Sequence, residues 1–281
     1  MNSSGQASCL CFSMDRALQL EGYLGSLKKF MSDNVFVTVL YRTSSDFFDQ
    51  GYDAVMQKHP DVNFIRETDF GAQTLGWLDS ITTPLAMFGC DDVVYYRSVS
   101  LAKAASCFQS PQVLGFSLRL GKNIRFTHRQ ARPVAQPAWS EENDLLFWRW
   151  QQGNWDWGWA FEVNGTLYPR QVIKALFRAL EQNRRANSQF DWRHPNKLEM
   201  TCNQLLRSIV GAPPLLACFP RSCLVVPTVN QVQTLGNNPL LGASRTVREL
   251  EELRRREMGM DLDRFAAGAY ERIHVGDFFL K

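Results

Sequence analysis

This 281-residue chain has no apolar run near the roughly 20 residues that span a bilayer. Its first residues, Met1-Asn2-Ser3-Ser4-Gly5-Gln6, carry neither the basic nor the apolar region of a signal peptide, so a cytoplasmic protein is expected. Neither sign of charge is in excess. The 31 basic and 28 acidic residues, net +3, are spread along the chain, which leaves no polyanion footprint and argues against nucleic acid as the main partner. The seven cysteines (Cys9, Cys11, Cys90, Cys107, Cys202, Cys218 and Cys223) form no C-x-x-C pair and have no companion histidine spacing, which disfavours structural zinc and a disulfide framework. Internal repeats and low-complexity tracts are also missing. What is present, 45% hydrophobic and 21% charged residues, suits one large domain or two tightly joined halves.

Periodicity in the first hundred residues alternates between strand and helix. Ser8 to Phe12 reads as a short strand, after which Ala17, Leu20, Leu24 and Leu27 make one apolar helical stripe. Val35 to Tyr41 is the next strand and Phe48, Tyr52 and Val55 mark the next helix. Val62 to Ile65 is a third strand, Thr74, Leu75, Leu78 and Ile81 a third helix, and Pro84 to Phe88 a fourth strand. Such alternation predicts an α/β fold with a mostly parallel central sheet flanked by helices on both faces. After Val113 to Leu120, another strand, the stretch from Gly121 to Trp157 shows little periodicity and reads as a functional loop or lid. Asn164-Gly165 reads as a hairpin turn joining Phe161-Glu162-Val163 to Thr166-Leu167-Tyr168, in preference to a glycosylation acceptor. Helices follow from Arg170 to about Asn183 and from Pro195-Asn196 through Leu198, Leu205, Leu206 and Ile209. A strand is expected over Cys223 to Val226. Thr246-Val247-Arg248-Glu249 has capping-box spacing, for a helix ending near Gly259. The expected organisation is a ligand-binding half (1–110), a second half with the tryptophan-rich segment (111–245) and a helical tail (246–281), all in one compact domain.

The fourth strand ends on Cys90-Asp91-Asp92 and then becomes apolar again. Side chains at the carboxyl end of a buried α/β strand face the crevice where such sheets bind ligands. A magnesium or manganese ion carrying diphosphate oxygens would answer two adjacent anions there. The competing structural reading makes Asp91 and Asp92 a turn, or caps of a helix beginning near Ser98.

With these residues in place the chain resembles the nucleotide-sugar-dependent glycosyltransferases of the GT-A (Rossmann-like) fold, well over the first 110 residues and loosely beyond. The opening strand with Phe12-Ser13-Met14-Asp15-Arg16 looks like the loop that receives the nucleoside, and Cys90-Asp91-Asp92 sits where the family carries its Asp-x-Asp motif, with Cys90 in place of the first aspartate. Pro195-Asn196-Lys197-Leu198-Glu199 sits where members place an acidic residue on an acceptor-side helix. The resemblance implies Asp92 as metal ligand, Asp91 near the ribose or a metal-bound water, and Asp15 and Arg16 near the diphosphate or base. Arg42, Thr43 and Ser44, at the end of the second strand, would contact base or ribose. Asn230, in the polar stretch Pro227 to Gln233 that continues to Asn237-Asn238, belongs to a loop closing over the diphosphate, and His274 would complete the metal site.

Glu199 is the candidate general base, since an inverting transfer needs a carboxylate within reach of the acceptor hydroxyl. The helix dipole favours an acid at that position equally well. Six of the eight tryptophans lie between Trp139 and Trp159. Trp155, Trp157 and Trp159 alternate, which in a strand would put them on one face, and Trp155 and Trp157 are the candidates for acceptor binding. Arg254-Arg255-Arg256 ends a helix as a solvated face, or touches an anionic membrane surface if the acceptor is lipid-linked. The expected partners are a nucleotide-sugar donor and a glycan, lipid-linked or small-molecule acceptor. A sugar-phosphate nucleotidyltransferase is disfavoured because Ser13-Met14-Asp15-Arg16 stands where a glycine-rich phosphate loop would be. A non-catalytic nucleotide- or carbohydrate-binding protein of the same fold is the third reading, favoured by Cys90.

Overall fold

The computed structural model describes residues 5–31, 35–127, 132–187, 190–233 and 240–281; Asn237 and Asn238 lie outside these. Strand and helix alternate at first as the periodicity predicts: β1 (Ala7–Met14), α1 (Ala17–Phe30), β2 (Val35–Arg42), α2 (Asp46–Lys58), β3 (Asn63–Arg66), α3 (Phe70–Ser80) and β4 (Leu85–Cys90). The α1 stripe Ala17, Leu20, Leu24 and Leu27 is buried, and so are Phe48, Tyr52 and Val55 of α2. β5 (Val94–Tyr95), α4 (Leu101–Ser106), β6 (Val113–Ser117), β7 (Trp139–Glu142), β8 (Leu145–Arg149) and β9 (Leu167–Pro169) follow. The chain continues through α5 (Arg170–Ala186), α6 (Pro195–Ser208), β10 (Leu215–Cys218), β11 (Leu224–Pro227), α7 (Val247–Arg255), α8 (Leu262–Ala266) and β12 (His274–Val275).

Among the described residues the main sheet has nine strands in the order β3-β2-β1-β4-β9-β6-β10-β8-β7. β1 is parallel to β2 and β4, β2 to β3, and β6 to β10; β9 and β8 run against their neighbours. β9 inserts between β4 and β6, so the sheet runs without a break across the boundary expected near residue 110. A smaller sheet, β12-β11-β5, ties the carboxyl-terminal segment to the strand that leaves Asp92. α7 opens with the expected capping box, Thr246 and Glu249 bonding each other's backbone amides, but it ends at Arg255 rather than near Gly259.

Three local expectations are corrected. The segment 121–157 is not all loop: β7 and β8 form a hairpin whose Asn143 and Asp144 both have positive φ, 51° and 53°, as a two-residue type I′ turn requires. Asn164-Gly165 makes a turn but no hairpin. The amides that a ladder would need go to side chains instead, Phe161 N to Asn203 Oδ1 (3.1 Å), Glu162 N to Tyr168 Oη (3.0 Å) and Val163 N to Glu199 Oε1 (2.8 Å). Trp155 to Gly158 is a short 3-10 turn, not a strand, so Trp155, Trp157 and Trp159 do not share a face.

Candidate functional site

The chain steps outward from β1 to β2 to β3, then returns to the other side of β1 as β4. At such a reversal the helices leave in opposite directions, and a crevice opens beyond the carboxyl ends of the two central strands. Ser13 to Arg16 leave β1 at that point and Asp91-Asp92 leave β4. Tertiary topology thus brings together two segments that are 75 residues apart at Arg16 and Asp91.

Asp91 is the hub of the crevice floor. Its side chain accepts from Ser13 Oγ (2.8 Å), Met14 N (3.2 Å) and Arg16 Nη1 (3.0 Å), and the residue is only 3% exposed. The same Arg16 nitrogen lies 3.0 Å from Asp92 Oδ2, and Arg16 Nη2 donates to the carbonyl of Asn230 (2.8 Å). Tyr52 Oη sits between Ser13 Oγ (2.5 Å) and Arg16 N (3.3 Å). Burial pushes the Asp91 carboxyl above its ordinary range against the pull of Arg16, while the two aspartates, overcoming the opposing effect of burial, hold the guanidinium firmly protonated. The positive charge that the adjacent anions demand is therefore supplied in the first instance by Arg16. The alternative role as helix caps does not hold, because α4 is capped by Ser100, whose side chain accepts from Lys103 N.

The other expected donor-side residues sit around this hub. Asp15 has φ 55° and accepts from Ser44 N (2.8 Å), which ties the β1 exit to the β2 exit. Arg42 is exposed beside Met14 Sδ (3.1 Å) and Glu67 (3.6 Å), open toward the crevice end of the sheet. Thr43 is held in a network with Asp49 (2.6 Å) and Arg66 (2.9 Å). Ser13 and Ser44, which the sequence placed in the two strand-end loops, join the hub through Asp91 and Asp15, whereas Tyr52 is a residue that the motif reading missed, because a tyrosine on an apolar helix stripe carries no signal of its own.

Asp92 is less enclosed than Asp91, its side chain 21% exposed and bonded to Arg16 through one oxygen. This fits a hard cation that takes one protein carboxylate and completes its shell with diphosphate and water oxygens. Among the described residues no group of three or more His, Cys, Asp or Glu could hold a metal by protein ligands alone. His274 pairs with Val226 on β12, across β11 from β5, which puts it two strands and about 10 Å from Val94. Cys90 is half-buried, and burial beside Asp92 and Asp91 pushes its thiol well above the ordinary value, so it stands as a neutral side chain at pH 7.

On the other side of the crevice α6 presents Glu199, Asn203 and Arg207 at intervals of four residues, and all three grip the strap 158–163. Asn203 accepts from Ala160 N and Phe161 N and donates to Phe161 O and Glu199 O; Arg207 donates to Gly158 O. Glu199 is half-buried, and burial together with Glu162 pushes it up to about 7 against the pull of the Val163 amide and Arg119. A carboxylate of that strength is matched to a general base at neutral pH. Trp157 is fully buried, packed edge-on against Trp148 at 5.0 Å, with its carbonyl accepting from the Trp148 indole. It is therefore a core residue and not a surface open to an acceptor. Trp155 is 41% exposed and remains available.

No family model matches the chain. It is 25% identical over 298 aligned residues to the bifunctional glycosyltransferase pgtA of Dictyostelium discoideum, a match that takes in 96% of this chain and 38% of that protein. The chain thus spans well under half the length of this relative. Among solved structures, S. aureus TarS 1-349 in complex with UDP matches with a TM-score of 0.48 at 15% identity, covering 78% of this chain and 59% of that one. The mannosyltransferase PcManGT from Pyrobaculum calidifontis, in complex with GDP-Man and Mn2+, matches with a TM-score of 0.40 at 14% identity, covering 61% and 46%. Along nearly its whole length, the chain is related in sequence to one part of a glycosyltransferase.

Proposed function

We propose that the chain transfers a sugar from a nucleotide-diphosphate sugar to an acceptor hydroxyl. The observation that carries this reading is the pairing of two unlike centres at one crevice: the Arg16-Asp91-Asp92 cluster where β1 and β4 end, and a carboxylate of neutral-pH strength, Glu199, on α6. Arg16, Asp15, Asp91, Arg42, Thr43 and Asn230 make up the donor side, and Arg16 links the crevice floor to the Asn230 loop, which suits a loop that tightens over a diphosphate. Asp92, with His274 as the more distant candidate, would hold a magnesium or manganese ion, which when bound supplies positive charge to the leaving diphosphate. Glu199 accepts the proton of the acceptor hydroxyl as its oxygen attacks the anomeric carbon. The bond from that carbon to the diphosphate oxygen breaks, and its electron pair leaves with the nucleoside diphosphate. Trp155 offers an exposed aromatic face for the apolar side of a sugar ring.

Residues 1–110 would then form the donor half and 111–245 the acceptor half. A glycan, lipid-linked or small-molecule acceptor each remains compatible with the site. No helix among the described residues is long and apolar enough to cross a membrane. Arg254 and Arg255 are engaged by Glu251, and Arg255 also by Phe47 O, so a membrane-facing role would fall mainly to Arg256.

Thermal unfolding against a panel of nucleoside diphosphates and nucleotide sugars, with and without manganese or magnesium, tests the proposal. A ligand at 100 times its Kd stabilises the fold by about 2.7 kcal/mol. A metal-dependent rise in Tm with one nucleotide, lost in Asp92→Ala, is expected. No rise with any member would make the cluster structural, and binding without transfer or donor hydrolysis would favour the non-catalytic reading.

A further inference from the structure

Behind Glu199 lies a second buried charge cluster that the proposed chemistry does not use. Arg119, two residues beyond the end of β6, is 3% exposed and Glu162 is 1% exposed. Arg119 Nη1 donates to Asp156 Oδ1 (2.9 Å), and its Nε lies 3.7 Å from Glu162 Oε2. Among the described residues Arg119 Nε and Nη2 and Glu162 Oε1 are buried with no hydrogen-bond partner. Buried polar atoms left in that state are costly and rare, which marks the cluster as kept for more than stability. Glu162 and Glu199 are brought side by side by the strap itself, since Asn164 N donates to Glu162 Oε2 and the preceding amide, Val163 N, donates to Glu199 Oε1. One guanidinium therefore faces three carboxylates, those of Asp156, Glu162 and Glu199, and of the two glutamates only Glu199 is more than marginally exposed.

We infer that Glu162, held against Arg119 behind the strap, is the positioning residue that sets how Glu199 holds and releases its proton. A carboxylate fixed behind another disfavours the second negative charge, so a proton is retained on the outer one until the pH approaches neutrality. Arg119 sets the limit of the effect, because it stabilises the anionic form of Glu199. The remaining groups around the pair are the Trp159 indole on the strap, Cys90 at the end of β4 and Cys202 on α6 beside Glu199, Tyr95 on β5 and Tyr168 on β9 beside Glu162, and Asp156 and Tyr168 facing Arg119. None of these adds a second cation beside Glu199. Burial and Glu162 are the two leading causes that raise Glu199, which agrees with the geometry.

This inference rests on the reading of Glu199 as the base, yet it can be tested without any substrate. The pH dependence of unfolding would be measured for the wild type, Glu199→Gln, Glu162→Gln and Glu162→Asp. The wild type should lose stability as the pH rises through the titration of Glu199, and Glu199→Gln should abolish that dependence. Glu162→Gln removes the charge but keeps an acceptor for the Asn164 amide, and it should move the upper end of the window down by about one pH unit. Glu162→Asp, which keeps the charge one methylene further back, should restore part of the shift and serves if Glu162→Gln does not fold. A window unmoved in both Glu162 variants would overturn the inference. If the window moves as expected but Glu199→Gln leaves transfer intact, the pair exists and it is the assignment of the base that fails. In an active assay the acid limb of kcat/KM should follow the same order of variants.

Discussion

Asp91 and Asp92 are neighbours in sequence with opposite environments, and this difference decides what each substitution does. Asp91 is enclosed by Ser13, Met14 N and Arg16, so Asp91→Ala takes the acceptor from three donors and leaves Arg16 only the more exposed carboxylate of Asp92. Breaking one side of a buried ion pair costs about 3–5 kcal/mol, and chemical denaturation should show a loss of that size. Asp92→Ala leaves Arg16 its bond to Asp91, so its stability should change by no more than roughly 1 kcal/mol while metal-dependent nucleotide binding is lost. Equal losses for the two would show that Asp92 is as structural as Asp91. Glu199 carries the pH prediction. Its native value of about 7 lies above the ordinary 4.5, so the folded chain holds a proton there that the unfolded chain has released. The associated stability is complete below about 4.5 and is lost as the pH rises through about 7, which urea titrations at several pH values would resolve.

At the scale of elements, the 158–163 strap exists because α6 feeds it hydrogen bonds in place of a strand partner. Asn203, 2% exposed, makes three of them and bonds the Glu199 carbonyl of its own helix with a fourth. Asn203→Ala should cost roughly 2–4 kcal/mol, since it leaves buried amides and carbonyls unsatisfied. It should also lower transfer by displacing Glu199, whereas Thr246→Ala at the capping box of α7 should cost about 1 kcal/mol and leave activity unchanged. Equal activity losses in the two would mean that the strap does not position Glu199 for the proposed transfer. The nine-stranded sheet needs β9, a three-residue strand, to join its two parts, with Leu167 paired to both Met87 and Phe116. Leu167 is fully buried, and Leu167→Ala should cost about 2–5 kcal/mol by leaving a cavity at that junction.

For the whole molecule, the balance of charge at the crevice predicts how metal removal will act. Arg16 already neutralises part of the aspartate pair, so a chelator should leave the Tm of the ligand-free protein unchanged and remove only the stabilisation that nucleotides confer. A fall in Tm on chelation without nucleotide would mean that a metal is part of the fold itself.

Hydrophobic periodicity is a local property, and it carried the first four strands and three helices, the α7 capping box and the arrival of two aspartates at a strand end. The sequence also marked Asp91-Asp92 and Glu199 as candidates, because residue type and position in an element are written in order along the chain. The partners of those residues are not. That Arg16 answers both aspartates, that Asn203 and Glu199 consume the amides of a would-be hairpin, and that Trp157 is buried while Trp155 is exposed all depend on contacts between distant segments. Asn143-Asp144 was legible in principle as a two-residue turn, but the flanking aromatics and glutamates lack clear alternation. How strongly Glu199 holds its proton was decided by tertiary structure alone, since a pKa is set by burial and by the charges around a group, and only folding brings Glu162 and Arg119 beside it.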